Sequence, residues 1–507
     1  MTRDPVGTFA LVLHTHLPWV AHHGAWPVGE EWLHQAWASS YQPLIRVLES
    51  LADEGHRGLL TLGMTPVLAS QLDDAYCLRE QHTWLGYWQV RAQGMAGARE
   101  PERRAAGLRE FTAARSALDD FETRWSSGSS PLVRRLVDDG VIELLGGPLT
   151  HTFTPLLPER LAHDTLVAGL DDAQMRIGTR PRGIWAPECA YDPGLERMYA
   201  RAGVGHLVVD GPTLLGAGAT TADAWTLGDT DVVVVGRDLD VSYRVWSPRR
   251  GYPGDPAYRD FHTFDHEWGF RAARVTGTSV EPHDKLPYDP GAAADVVERD
   301  ARDFVDVVRR RLLDLRDERQ GRPGLVVAAY DTELFGHWWH EGPQWLGRVL
   351  RLLPEAGVRI ATLNEVASDP AGSVQPGPSS WGLGKDWHIW SGDQVASMAD
   401  RQGSMAKEAL DLLDATHPRT ERSAAHDQLM TEVLLALSSD WAFMVSHDTA
   451  AGYAWERFNE HDERVRGLVS ALRRGDAALA RERAHADGRV DAPFPGLDSR
   501  RFLAERS

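Results

Sequence analysis

A succession of short apolar segments constrains this chain most. They are 9–16, 59–65, 141–147, 183–188, His206–Asp210, 231–236, Leu325–Asp331 and 358–363, with helical sequence between most of them. Several, such as LVVAAYD, are continuous apolar runs without polar alternation, as strands are when both faces are covered. Strands alternating with helices predict βα units around a parallel sheet or barrel, so the expected fold class is α/β. Segment 73–130 breaks the rhythm with PERRAAGLREFTAARSALDDFETRW, a charged amphipathic stretch that predicts a helical insertion. Residues 367–380, rich in Pro, Gly and Ser, predict a linker. Beyond it, amphipathic runs at 398–416, 424–444 and 452–474 predict a helical C-terminal domain. The expected division is a barrel over 1–372 and a helical domain over 373–507. No internal repeat interrupts it.

Composition narrows the partners. A formal net charge of −19 argues against nucleic acid, whose phosphates need clustered positive charge, and leaves a neutral substrate unaffected. The N-terminal apolar run is short and carries histidines, unlike a signal peptide, and no stretch approaches the roughly 20 apolar residues that span a bilayer. Cys77 and Cys189 are too few for a disulfide framework and lack metal-ligand spacing, which favours a reducing compartment. The expectation is a cytoplasmic protein without a membrane partner. The 19 tryptophans serve mostly as core, but an indole also offers a flat face and an N–H donor to a sugar ring.

Active sites of α/β barrels lie at the C-terminal ends of the strands. The first strand ends in His14 and His16, and the third leads into Thr150, His151 and Thr152. The fourth ends in Glu188. The strand 325–331 ends in Asp331 and continues through Glu333 to His337, Trp338 and Trp339. Ionisable groups thus collect where chemistry is expected, and burying them without a use is costly. Two carboxylates from opposite sides of a barrel suit retaining glycosyl transfer, which needs them roughly 5–5.5 Å apart, one as nucleophile and one as acid. The acid must hold its proton near neutrality, so burial should raise its pKa. Other readings stay open. The histidines could be ordinary packing residues, and Asp331 and Glu333 project from the same side of a strand, so the pattern does not choose between them. His-x-His with nearby acids also suits zinc, as in metal-dependent polysaccharide deacetylases. A non-catalytic glucan-binding protein is a further alternative.

HTHLP, ELLGGPLTHTFTPLL, GIWAPECAYDPGLE, YDTELFGHWWHEGP and ATLNEVASD resemble, in order, the five motifs of glycoside hydrolase family 57. The resemblance runs from the first strand to about residue 465. It implies a (β/α)7 barrel with a helical insertion and a helical C-terminal domain, a retaining mechanism, and no cofactor or metal. Glu188 matches the family's nucleophile and Asp331 its general acid/base, which selects Asp331 over Glu333. His14, His16 and His151 match substrate-binding positions, and Trp185, His337 and Trp338 lie in the same motifs.

Four further stretches resemble the family's branching enzymes, actinobacterial members above all. They are GAWPVGEEWLHQAWASSYQPLIRVLESL, VWSPRRGYPGDPAYRDF, SSWGLGKDWHIW and LALSSDWAFMV. They imply a flexible loop at about 240–260 with Tyr252 at its tip. They also imply that Trp381, Trp390, Asp440 and Trp441 come from a helical domain closing over the acceptor. The implied activity is 1,4-alpha-glucan branching in glycogen biosynthesis. An α-glucan polysaccharide would be donor and acceptor, and the enzyme a monomer or weak homo-oligomer. An α-glucan hydrolase or 4-α-glucanotransferase is the alternative within the family. Two positions depart from the pattern. Ala273 stands where an aromatic residue usually stacks on substrate, with Trp268 nearby as a substitute, and Lys385 stands in place of a glycine.

Overall fold

The computed structural model describes residues 4–26, 28–247, 251–277 and 279–504. Ten strands form one curled sheet: β1 (Thr8–Thr15), β2 (Leu60–Met64), β3 (Ile142–Gly146), β4 (Gly183–Ile184), β5 (His206–Asp210), β6 (Trp225–Leu227), β7 (Val233–Arg237), β8 (Leu325–Asp331), β9 (Arg359–Ile360) and β10 (Ser373–Val374). Seven are parallel staves in the order β7-β5-β4-β3-β2-β1-β8. The two outer staves curl towards each other, and the Asp238 N–H, just past β7, donates to Val327 O on β8 at 2.8 Å. Seven of the eight apolar runs are these staves. The eighth contributes only β9, a two-residue spur on the start of β1. Two short edge strands, β6 antiparallel to β7 and β10 beside β6, carry too little sequence to announce themselves.

Parallel pairing aligns the strand ends. His14 on β1 pairs with Gly63 on β2 and with Asp331 on β8, so the chemically active ends lie at one level. The insertion is a helical hairpin, Ala75–Ala96 and Pro101–Asp120, the first helix capped by Asp74, whose carboxylate accepts from the Tyr76 and Cys77 amides. Gly107 lets the two helices touch, because a Cβ there would sit 2.3 Å from Ala96 N.

The stretch 367–380 is stitched to the sheet. Val374 pairs with Leu227, and Ser379 bridges to Tyr191. The longer helices beyond it are Ala396–Thr416, Ala424–Ala436, Ser439–Ser446, Ala451–Arg473 and Ala477–Asp487. The expected single helix over 424–444 is therefore two. Ser438 is extended at the break, bridges to Thr152, and lets the Ser439 N–H donate to His151 O at 2.7 Å. The kink satisfies a loop carbonyl of the barrel at the cost of one helical turn. A buried ionic cluster also fastens the helices to the loop after β1. His461 Nδ1 meets Glu432 at 2.7 Å, His23 Nε2 meets Asp491 at 2.7 Å, and Arg457 and Arg464 complete the set.

The turn after β8 depends on Gly336. Its φ is +110°, and a Cβ there would lie 1.8 Å from Ser39 O. Gly336→Ala combines a strained backbone with a clash against main chain, and each destabilises a fold strongly. The expected outcome is a thermal unfolding midpoint lower by several degrees or more, read by circular dichroism. An unchanged midpoint would show that the turn relaxes freely.

Candidate active site

Three histidines stack at the mouth of the barrel. His14 and His16 are two apart on an extended chain, so both rings face inward, and His151 from the loop after β3 joins them. Ring centroids are 4.9 Å apart for His14 and His151, and 4.0 Å for His16 and His151. His14 Nε2 and His151 Nε2 share a hydrogen bond of 3.0 Å. Burial, reinforced by neighbouring histidines, pushes both well below the usual imidazole range, so His14 and His151 are neutral. The Trp185 indole lies flat on His14, 4.5 Å between centroids and 13° between planes, and Trp381 meets Trp185 edge-on at 5.0 Å.

Glu188 stands in the tight turn Pro187–Cys189, where β4 ends. Its φ is +62° and that of Cys189 is +49°, left-handed conformations that cost a non-glycine residue about 1–3 kcal/mol. The strain is held from above. The Trp381 Nε1–H donates to Glu188 Oε2 at 2.9 Å, and the Trp381 amide to Glu188 O at 2.9 Å. The Ser439 hydroxyl donates to Oε1 at 2.8 Å and shares a 2.8 Å bond with His151 Nδ1. Burial pushes Glu188 up to about 7 against these two donors, and the charges of Asp440 and Asp331 add to the rise.

Asp331 ends β8. Burial raises it to about 6, His16 and Arg237 oppose that, and Asp440 adds to it. Its carboxylate accepts no hydrogen bond among the described residues. Glu333 turns away instead, with Tyr41 Oη donating to it at 2.6 Å and the His16 amide at 3.3 Å. Burial, with the Asp331 charge, lifts it to about 8. Tyr41 ends the π-helical turn Trp37–Tyr41, a local rearrangement that brings its hydroxyl under the β8 loop. Asp440 lies 3.0 Å from His16 Nε2. Burial alone would raise its carboxyl, but His16, His151 and the Ser438 hydroxyl together hold it at about 2.

The structure gathers His14, His16, His151, Trp185, Glu188, Asp331, Trp381 and Asp440 in one place. His337 is buried edge-on to Phe261 at 5.6 Å, and Trp338 stacks on the half-exposed Trp246 at 6.2 Å. Three of the expected binding residues, Tyr252, Trp390 and Trp441, are buried. Tyr252 is no exposed tip: it is 8% exposed, packs on Trp339 and Trp345, and donates its hydroxyl to Asp303 at 2.6 Å. Apolar packing around a ring with one satisfied hydroxyl outweighed its turn-like sequence. Residues 248–250 of that loop lie outside the described residues. Trp268 is partly buried and lies over Gly94 of the helical hairpin, which has no side chain to block it. Trp390 is 1% exposed against Phe153, and Trp441 is fully buried with its Nε1–H on Leu435 O at 2.8 Å, so neither has a free face.

Ser439 went unnoticed in the sequence, since a serine in a helical pattern carries no signal. Arg237, Tyr41 and Trp246 did too. Donor atoms of His16, His151 and Asp440 lie within 4.8 Å of one another. All four imidazole nitrogens are engaged, His16 with Thr65 and Asp440, His151 with His14 and Ser439, so a metal ion would have to displace two of these bonds.

A model of glycosyl hydrolase family 57 matches residues 10–375, and one described as "1,4-alpha-glucan branching enzyme, C-terminal" matches residues 403–502. A probable 1,4-alpha-glucan branching enzyme of Mycobacterium tuberculosis is 53% identical over 525 residues, covering 99% of both chains. The crystal structure of a family 57 branching enzyme from Pyrococcus horikoshii superposes with a TM-score of 0.91 at 30% identity, over 99% of this chain and 97% of that one. An α-amylase from Thermotoga maritima superposes with a TM-score of 0.86 at 26% identity, over 99% of this chain and all of that one. With a family model spanning more than two-thirds of its length, the chain belongs to glycosyl hydrolase family 57.

Proposed function

We infer that this chain is a 1,4-alpha-glucan branching enzyme that cleaves an α-1,4 bond and transfers the released chain to a 6-hydroxyl of an α-glucan. One observation carries the reading. The region matching the branching-enzyme C-terminal model supplies Ser439 and Asp440 to the site, so that domain is part of the catalytic cavity. Near-complete coverage of the Mycobacterium tuberculosis relative supports it. The barrel alone does not separate transfer from hydrolysis, since the Thermotoga maritima amylase shares it. A buried Tyr252 removes one expected argument for branching and leaves the C-terminal region to carry it.

Glu188 is the nucleophile. It attacks the anomeric carbon, and Asp331 protonates the departing glycosidic oxygen. Asp331 then takes the proton of the incoming 6-hydroxyl as the glycosyl–Glu188 bond breaks, so configuration is retained. Burial raises both carboxyls, Glu188 to about 7 and Asp331 to about 6. Hydrogen bonding sets which of them keeps the proton. A sugar that displaces water desolvates both groups, but Glu188 keeps two hydrogen-bond donors and Asp331 has none, so the proton moves to Asp331. Neutral His14 and His151 are suited to hydrogen-bonding sugar hydroxyls, and the Trp185 and Trp381 indoles are suited to covering ring faces. Two free, buried thiols, Cys77 and Cys189, fit a reducing compartment, and the reading extends to a cytoplasmic enzyme of glycogen-like polysaccharide.

Incubation with linear amylose, followed by an enzyme that cuts only α-1,6 bonds, tests the activity. New short chains should appear only after debranching; short chains already present before it, with no change after, would identify a hydrolase or a disproportionating enzyme. Glu188→Gln and Asp331→Asn should each lower kcat on amylose by at least about a thousandfold with unchanged unfolding, whereas Glu333→Gln should stay within about tenfold of the parent. An activated aryl glycoside, whose leaving group needs no proton, should restore glycosylation to Asp331→Asn but not to Glu188→Gln. Restoration of Glu188→Gln alone would reverse the roles, and restoration of both would leave neither as the nucleophile. The two carboxyls titrate as a coupled pair, and the active form carries one proton between them. The pH profile of kcat/KM should therefore be a narrow bell with its maximum between about 6 and 7, falling on the acid side as the second proton binds and on the alkaline side as the first leaves.

A further inference from the structure

Asp210, the last residue of β5, is 0% exposed, and a carboxylate that deep requires positive partners. It has two. Arg237 at the end of β7 brings Nε to 2.9 Å from Oδ1, and Lys385 brings Nζ to 2.6 Å from Oδ2. Both cations reach on to one tryptophan. The Arg237 guanidinium lies 5.4 Å from the Trp381 ring centroid, and Lys385 Nζ donates to Trp381 O at 3.0 Å. Trp381 is the residue that holds the Glu188 carboxylate and its main-chain carbonyl.

The turn that carries Trp381 is closed on itself, the Lys385 amide donating to Gly382 O at 3.0 Å and the Ser380 amide to Lys385 O at 3.1 Å. Lys385 has φ +63°, a left-handed conformation that costs a lysine roughly 1–2 kcal/mol and a glycine nothing. Backbone geometry therefore does not ask for lysine, and the ammonium does the rest. The sequence uses lysine at three positions among 54 basic residues, and two of them, Lys285 on Asp260 at 2.7 Å and Lys385 on Asp210, place the compact charge against a buried carboxylate.

We propose that Lys385 is a positioning residue: its ion pair with Asp210 latches the 380–385 turn onto β5 and so fixes the Trp381 indole on Glu188. The proposal rests on the reading of Glu188 as nucleophile. The latch ties strands β5 and β7 of the barrel to the segment leading into the helical region, at the point where the strained Glu188–Cys189 turn needs support.

Lys385→Gly separates the ion pair from the backbone, because it relieves the left-handed strain while removing the ammonium. If the lysine serves only the shape of the turn, this variant should be as active as the parent. If it is a latch, kcat on amylose should fall about tenfold while KM stays within about twofold. The acidic limb of the pH profile should also move up by roughly half a unit, because a loosened Trp381 no longer favours the ionised carboxylate. Asp210→Asn, an isostere that breaks the pair from the other side, should shift the limb the same way. It decides the matter should Lys385→Gly fail to fold by circular dichroism. Parental kcat and an unmoved limb in a folded variant would overturn the proposal. Glu188→Gln run alongside keeps the two readings apart: an inactive Glu188→Gln beside a parental Lys385→Gly removes the latch alone, and an active Glu188→Gln removes the site assignment first.

Discussion

A carboxylate shielded from water and expected to carry charge must be met by hydrogen-bond donors, and Glu188 is the residue around which this protein arranges them. Neither side-chain donor belongs to a strand of the barrel. The Trp381 indole arrives on the segment leaving the sheet, and the Ser439 hydroxyl arrives from the helical region. The barrel can place the nucleophile, but it cannot by itself stabilise the nucleophile's charge. That dependence explains features that would otherwise look like irregularities. The helix expected over 424–444 breaks at Ser438, because an unbroken helix would keep the Ser439 amide and not give it to His151 O. The stretch 367–380 is sewn to the sheet by β10 and the Ser379–Tyr191 bridge, because slack there would pass to Trp381.

The same logic orders the charges nearby. Asp440 is kept ionised by His16, and Glu333 is lifted to about 8 by burial and by the Asp331 charge. Between them, Asp331 is lowered by His16 and Arg237, raised by Asp440, and accepts no hydrogen bond among the described residues. A group left without donors has the most adjustable proton affinity in the site. Anything that removes water raises it further, which is what a proton carrier serving both halves of a reaction requires. Glu188, with two fixed donors, is the less adjustable of the pair.

The staves were legible in the chain because continuous apolar runs have few other uses, and the register that aligns His14 with Asp331 follows from parallel pairing. Position at the strand ends made the candidate carboxylates and histidines legible, but it left Asp331 and Glu333 equivalent, and only the resemblance to family 57 chose between them. The tryptophans were not. Trp381, Trp390 and Trp441 lie within related motifs, yet one faces Glu188 and the other two are core, because indole serves packing and recognition equally and only the fold decides. Tyr252 misled for a related reason: Gly-Tyr-Pro-Gly-Asp reads as a surface turn, but a turn exposes its backbone without exposing every side chain. The contributions of Ser439 and Arg237 stayed hidden because Ser439 acts on Glu188 from 251 residues away and Arg237 on Asp331 from 94, distances no local pattern encodes.

The buried tyrosine changes how water exclusion must be understood. Tyr252 is anchored among Trp339 and Trp345 and bonded to Asp303, and Trp246, six residues earlier, is pinned on Trp338. The described residues on either side of 248–250 are thus both packed against the chain that follows β8. Trp246 is 52% exposed, and its outer face is apolar and flat, a surface on which a sugar ring gains contact and water does not. An acceptor stacked there would displace the solvent that competes with it, so binding of the acceptor and protection of the glycosyl–enzyme become one event.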